Sequence, residues 1–141
     1  MWGLRYLVAY AIGTVAGVCN EYLQKPHQPC YTSPNYGHVL TCGAANVYGW
    51  SALSLTAYFD IATRLKMPTW LILVCVAPIL TLMEALAGKI SKWYFKEQRW
   101  CYPKHYVPAV DGYVSLVSSL YFAVVGVGYW YLVYKPLVSK I

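Results

Sequence analysis

A chain of 141 residues and 15.9 kDa, with 59% hydrophobic and only 11% charged side chains, suits one domain. It is too apolar for an ordinary soluble domain, where roughly 25% of residues are charged. The formal charge of +6 would suggest nucleic acid in a soluble protein. Here the cations flank apolar runs, so anionic lipid headgroups are the expected partners and nucleic acid is not.

Four runs free of formal charge mark candidate membrane spans. They are Tyr6–Asn20, Pro26–Phe59 (of which Val39–Phe59 is apolar enough to span), Met67–Met83 and Gly112–Tyr134. A spanning helix needs about 20 residues. The pattern predicts an all-α integral membrane protein with transmembrane helices at about 3–22, 38–59, 68–90 and 111–134, in a single domain over 1–141. The first run reads as a span rather than a cleaved secretory signal. Only Arg5 precedes it as a charged flank, and Val18 before Cys19 fits a lipoprotein cleavage site poorly.

Loop one, Gln24–Gly37, carries Pro26, Pro29 and Pro34, which favour extended backbone. Loop two, Asp60–Met67, is short, so helices two and three should be antiparallel neighbours. Pro68 suits the start of helix three, and Pro78 should kink it. Ala9, Gly13 and Gly17 stand four apart in helix one, as do Ala45 and Gly49 in helix two. Such stripes let backbones approach closely in lipid.

After Glu84 and Gly88, Lys89, Lys92, Lys96 and Arg99 recur at steps of three, four and three, with Ile90 and Trp93 on another face. This predicts an amphipathic basic helix in the loop between helices three and four, anchored by Trp93, where these residues meet lipid headgroups or a partner protein. On a soluble helix the same cations would form a solvated face, but the rest of the chain is too apolar for that. Four spans put five cations on one side and six on the other, so the positive-inside rule assigns no orientation.

The remaining polar groups are less even. Glu21, Glu84, Asp111, all three histidines, and Cys19, Cys30, Cys42 and Cys101 fall on the side of loops one and three. Glu84 lies roughly 8–9 Å from the centre of its span at 1.5 Å per residue. At that depth it should face protein or water. It reads either as part of a substrate, ion or proton path or as a structural pair with Lys89 or with a cation of a neighbouring helix; Glu21, closer to the interface, reads as a structural or headgroup contact, or as a shallower member of that path. His27/Cys30, His38/Cys42 and Cys101/His105 match no familiar metal spacing, so neither metal nor cofactor is expected. A Cys30–Cys101 disulfide would require an oxidising side. No Walker-type phosphate loop, GxSxG or HExxH is present, and no enzyme is expected.

These residues resemble the type IV ABC-transporter permease family, also called CmpB-like, whose members are small multi-pass membrane proteins. The family carries Gly then Glu four residues later near the end of helix one, matched by Gly17 and Glu21. Asn35, Gly37, Tyr48 and Gly49 look like its Asn-x-Gly turn and Tyr-Gly pair, with a one-residue insertion. Its pattern of Glu, Gly four later, an aromatic and Arg-Trp-Trp-Asp-Tyr is similar to Glu84, Gly88, Phe95, Trp100 and Tyr102. Gly112, Ser119, Gly126 and Lys135-Pro136 resemble its last span and exit. Cys101 stands where the family has Asp, and His38 and Thr41 replace parts of its Gly-Phe-Leu-Tyr-Gly-Pro segment. Gly17, Gly88, Trp100, Tyr102, Gly112 and Gly126 are the expected structural motif.

The small size and the density of Tyr and Trp point to a non-enzymatic structural or accessory subunit of a larger assembly, for example in a virion membrane or an organellar complex. Other subunits would dock on Lys92–His105 and loop one. The resemblance implies the alternative, a permease or channel component that uses Glu84 and Glu21, joins further subunits and takes ATP from a partner. A lipid-handling enzyme built on His27, His38, His105, Glu84 and Asp111 is a second alternative.

Overall fold

The computed structural model describes residues 2–24, 45–98 and 100–141. The helices are α1 (Trp2–Gln24), α2 (Ala45–Arg64), α3 (Thr69–Val74), α4 (Val76–Phe95) and α5 (Leu116–Tyr129). A π-helical turn, Trp130–Tyr134, continues α5. Between α4 and α5 lies a two-stranded antiparallel ribbon of β1 (Pro108–Ala109) and β2 (Val114–Ser115), with Pro108 opposite Ser115.

Side-chain pairs fix the directions. Arg5 meets Asp60 and Asn20 meets Tyr48, so α1 and α2 run antiparallel. Thr81 meets Ser119, while Gly88 faces Tyr113, so α4 and α5 are antiparallel too. Thr56 meets Tyr129 and Asp60 meets Tyr134, so α2 and α5 share a direction.

The α1–α2 seam explains the small-residue stripes. A Cβ on Gly13 would stand 2.8 Å from the Tyr48 carbonyl oxygen, and one on Gly17 would overlap the Tyr48 ring. In lipid, where apolar burial between helices gains little, this close van der Waals approach is a main source of helix association. The core gathers on Phe59, which is fully buried, with Trp130 at 4.7 Å and Tyr134 at 5.1 Å between ring centroids.

Elsewhere the apolar surface points outward. Leu82, Leu86, Ile90 and Trp93 are exposed along α4, and Leu116, Leu120, Val124 and Leu132 along α5 and its extension. Thr69–Phe95 and Leu116–Tyr134 are both long and apolar enough to cross a membrane, yet only 28% and 17% of their most apolar windows are buried. Helices so apolar and so little covered by protein are suited to lipid as solvent. The described parts of α1 and α2, richer in Tyr, Thr, Ser and Asn, fall below that apolarity.

Several expectations are corrected. The chain is mostly helical, with one addition to the expected helices, the two-residue strands of the β1–β2 ribbon. The last helix starts at Leu116, not 111. Val110 (φ 50°), Asp111 (φ 60°) and Gly112 (φ 83°) are successive left-handed residues that no helix can contain, and Ser115 supplies the N-cap. The basic segment is not a separate helix. Helix α4 runs on to Phe95 and stops at Lys96, whose φ is 60°, so Lys96 does not continue the face of Lys89 and Lys92. Arg99 lies outside the described residues. Helix two ends at Arg64, five residues past its expected end, because Asp60 is partnered inside the fold and Ala62 is fully buried. Its expected start at 38–44 and most of loop one lie outside the described residues.

The expected kink takes the form of a break at Cys75. Pro78 has no N–H for the Val74 carbonyl, and its ring crowds that carbonyl. The Tyr58 hydroxyl reaches across from α2 to the neighbouring Ile72 carbonyl at 3.1 Å.

Candidate functional site

Glu84 faces α5 from the middle of α4 and is buried. Two hydroxyls meet its carboxylate. Tyr102 donates to Oε1 at 2.7 Å, and Ser118 donates to Oε2 at 3.2 Å. Ser118 is also half of the capping box of α5, exchanging hydrogen bonds with Ser115. The same hydroxyl thus starts the helix and touches the carboxylate.

The segment between α4 and α5 folds into a cap that aims Tyr102. The Tyr102 amide donates to the Gly112 carbonyl at 2.9 Å, and the Trp100 indole donates to the Tyr113 carbonyl at 3.0 Å. The Gln98 amide donates to the Asp111 carbonyl at 2.9 Å. Gly112 is required twice over: its φ is left-handed, and a Cβ there would stand 2.5 Å from Cys101 Sγ. Gly88 leaves a notch on α4 that the buried Tyr113 ring fills. Burial, then the nearby Asp111 and Cys101, hold the Tyr113 phenol above its usual pKa. Gly126 lets α5 close on Val76.

The residues singled out in the sequence thus separate. Glu84, Gly88, Trp100, Tyr102 and Gly112 come together at the cap. Gly17 belongs to the α1–α2 seam and Gly126 to the α4–α5 seam. Lys89 does not pair with Glu84; it turns outward to Asp111 at 3.3 Å, because five residues on it has left Glu84's helix face. Lys92 and Trp93 are exposed, and Lys96 Nζ lies 5.5 Å from the Trp93 ring centroid. Cys101 and His105 are exposed. The Glu21 side chain, His27, Cys30, His38 and Cys42 lie outside the described residues.

A second buried carboxylate, Asp60, sits at the opposite end of the bundle. Arg5 donates to Oδ1 at 2.8 Å, Tyr134 to Oδ1 at 2.6 Å and Tyr6 to Oδ2 at 3.0 Å. Sequence reasoning placed Asp60 in loop two and missed it. The available signal was charge complementarity: antiparallel helices one and two bring Arg5 and Asp60 to one end.

Chemically, a carboxylate held by hydroxyl donors in a low-dielectric seam can take up a proton or a cation. Asp60, cross-linked to α1 and to the extension of α5, is instead a helix clamp. No curated protein and no solved structure matches the chain. The model of the family described as Putative ABC-transporter type IV matches residues 7–141. With nearly its whole length covered, and with the Glu84, Gly88, Trp100 and Tyr102 pattern joined at one buried site, this membrane protein belongs to the Putative ABC-transporter type IV family.

Proposed function

We propose that the chain is a membrane-embedded component of a transporter, with α1, α2, the broken α3–α4 segment and α5 as four spans. The observation that carries this reading is Glu84, a carboxylate buried at the α4–α5 seam and met by hydroxyls from the cap and from α5. Such a group inside a membrane helix is costly even when hydroxyls meet it, and ionisable residues kept there commonly mark paths for protons, ions or polar solute. The family match favours this reading over a structural subunit of a virion or organellar assembly.

Four helices enclose little space, so the component joins copies of itself or another permease subunit. In this reading ATP hydrolysis, which the family description implies, comes from outside these 141 residues. The exposed Lys92 and Trp93 then sit against anionic headgroups or that partner.

The test joins two measurements. Native mass of the gently solubilised protein, with its subunits identified, should reveal a homo-oligomer or an ATPase partner. Stoichiometric partners without ATPase or permease character would restore the structural-subunit reading. In proteoliposomes of the recovered assembly, Glu84→Gln should reduce proton or monovalent-cation flux by about tenfold, equivalent to about 1.4 kcal/mol of barrier. Equal flux for the two proteins would remove Glu84 from the path.

A further inference from the structure

At the end of the bundle away from Glu84, an open cleft of about 500 Å³ lies between the start of α1, the end of α2 and the end of the α5 extension. That volume falls within the roughly 300–1,000 Å³ typical of small-ligand sites. Arg5, Arg64 and Lys135 line it together with a single carboxylate, Asp60. Asp60 already accepts from Arg5, Tyr6 and Tyr134. The lining therefore carries a surplus of positive charge, and its one anion is engaged.

Two further donors make this more than a basic surface. Arg5 Nε and Trp130 Nε1 are both buried, and neither has a hydrogen-bond partner among the described residues. Trp130 is 2% exposed and forms part of the cleft wall, so a ligand in the cleft reaches its indole N–H only by moving the side chains that cover it. The residue sits in the π-helical turn, a distortion often found at functional sites. The turn closes with the Lys135 amide donating to the Trp130 carbonyl at 3.0 Å, which places the Lys135 ammonium over the Trp130 ring at 5.3 Å. Buried donors without acceptors are unfavourable, and an acceptor-rich group offsets that cost.

We propose that this cleft binds a phosphate oxyanion, carried either by a phospholipid headgroup or by free phosphate. A tetrahedral phosphate offers acceptor oxygens in several directions and one or two negative charges. That matches donors converging from three chain segments and the surplus charge better than a planar carboxylate does. The bundle end places the cleft where headgroups lie if the helices span. The inference does not depend on Glu84 or on any transported solute.

The test uses the full chain in neutral detergent. Native mass spectrometry would measure retention of phosphatidylglycerol against uncharged diacylglycerol, and thermal unfolding would be followed in inorganic phosphate against chloride at equal ionic strength. Two variants are compared: Arg64→Gln with Lys135→Gln, which removes charge outside the Asp60 clamp, and Trp130→Phe, which keeps the charges and removes one directed donor. Phosphate in at least one form should bind, and each variant should weaken it by about tenfold. Retention of phosphatidylglycerol alone identifies a headgroup as the source, whereas stabilisation by inorganic phosphate identifies a free anion. The proposal is overturned if neither form binds, if both variants bind as the wild type does, or if only the charge variant weakens binding. That last result would mean general attraction of a basic surface.

Discussion

Asp60→Ala is expected to destabilise the folded chain by about 3–5 kcal/mol, the range for removing one partner of a buried ion pair. The substitution strands the Arg5 guanidinium and the hydroxyls of Tyr6 and Tyr134 together. The side chains of Arg5 and Asp60 are only 16% and 7% exposed, so water replaces the lost acceptor poorly. Arg5 lies in the first turns of α1 and can swing its long side chain outward, which pulls the cost toward the lower end of the range. Asp60→Asn retains one carbonyl acceptor and should cost less. Replacing both charges, as in Arg5→Met with Asp60→Leu, should recover much of the loss, because isolating one charge costs more than the pair contributes. Reversible unfolding in detergent over this double-mutant cycle checks it. A loss under about 1 kcal/mol for Asp60→Ala would show the pair behaving as an exposed one.

Tyr113→Ala is expected to cost about 3–5 kcal/mol, the range for emptying a large aromatic site. The ring fills the Gly88 notch, packs edge-on against Trp100 at 5.5 Å, and is 1% exposed. The loss should be local, freeing the 100–115 cap before the helices separate. Hydrogen exchange should therefore accelerate at the Tyr102 and Leu116 amides, which bond to Gly112 and Val107, while α1 and α2 stay protected. Tyr113→Phe separates the ring from its hydroxyl, which is buried with no hydrogen-bond partner among the described residues. Removing that group should leave stability unchanged or raise it by up to about 1 kcal/mol. A marked loss in Tyr113→Phe would show that the hydroxyl is engaged in the membrane-bound protein.

What the sequence disclosed followed the range of each signal. Apolar length is a local property, so Thr69–Phe95 and Leu116–Tyr134 stood out, as did the disruption ahead of Pro78. Glu84 was legible because a carboxylate within an apolar run has few explanations. Its partners were not, since Tyr102 and Ser118 reach it only through a cap whose turn depends on three left-handed residues, two of them not glycine. Val110 in that conformation opposes its local preference, and no periodicity announces it. Lys96 misled for the same reason: helical spacing from Lys92 implied one continuous face, while the backbone had already turned left-handed. Asp60 was hidden by its position near a short connection, where a charged residue needs no account until Arg5, more than 50 residues away, is seen beside it.

The polar bonds along α5 and its extension limit how the bundle can move. Ser118 and Ser119 tie it to α4, Tyr121 ties it to Asn20 of α1, and Tyr129 and Tyr134 tie it to Thr56 and Asp60 of α2. These rivets are spread over more than four turns, at donor–acceptor distances of 2.6–3.2 Å. Sliding the helix by a single residue, about 1.5 Å, would spring all of them together. Piston-like shear of this helix is therefore a costly deformation of the bundle. Any change of shape has to carry it as a fixed mast, with bending relegated to the proline-weakened joint at Cys75 on the helix beside it.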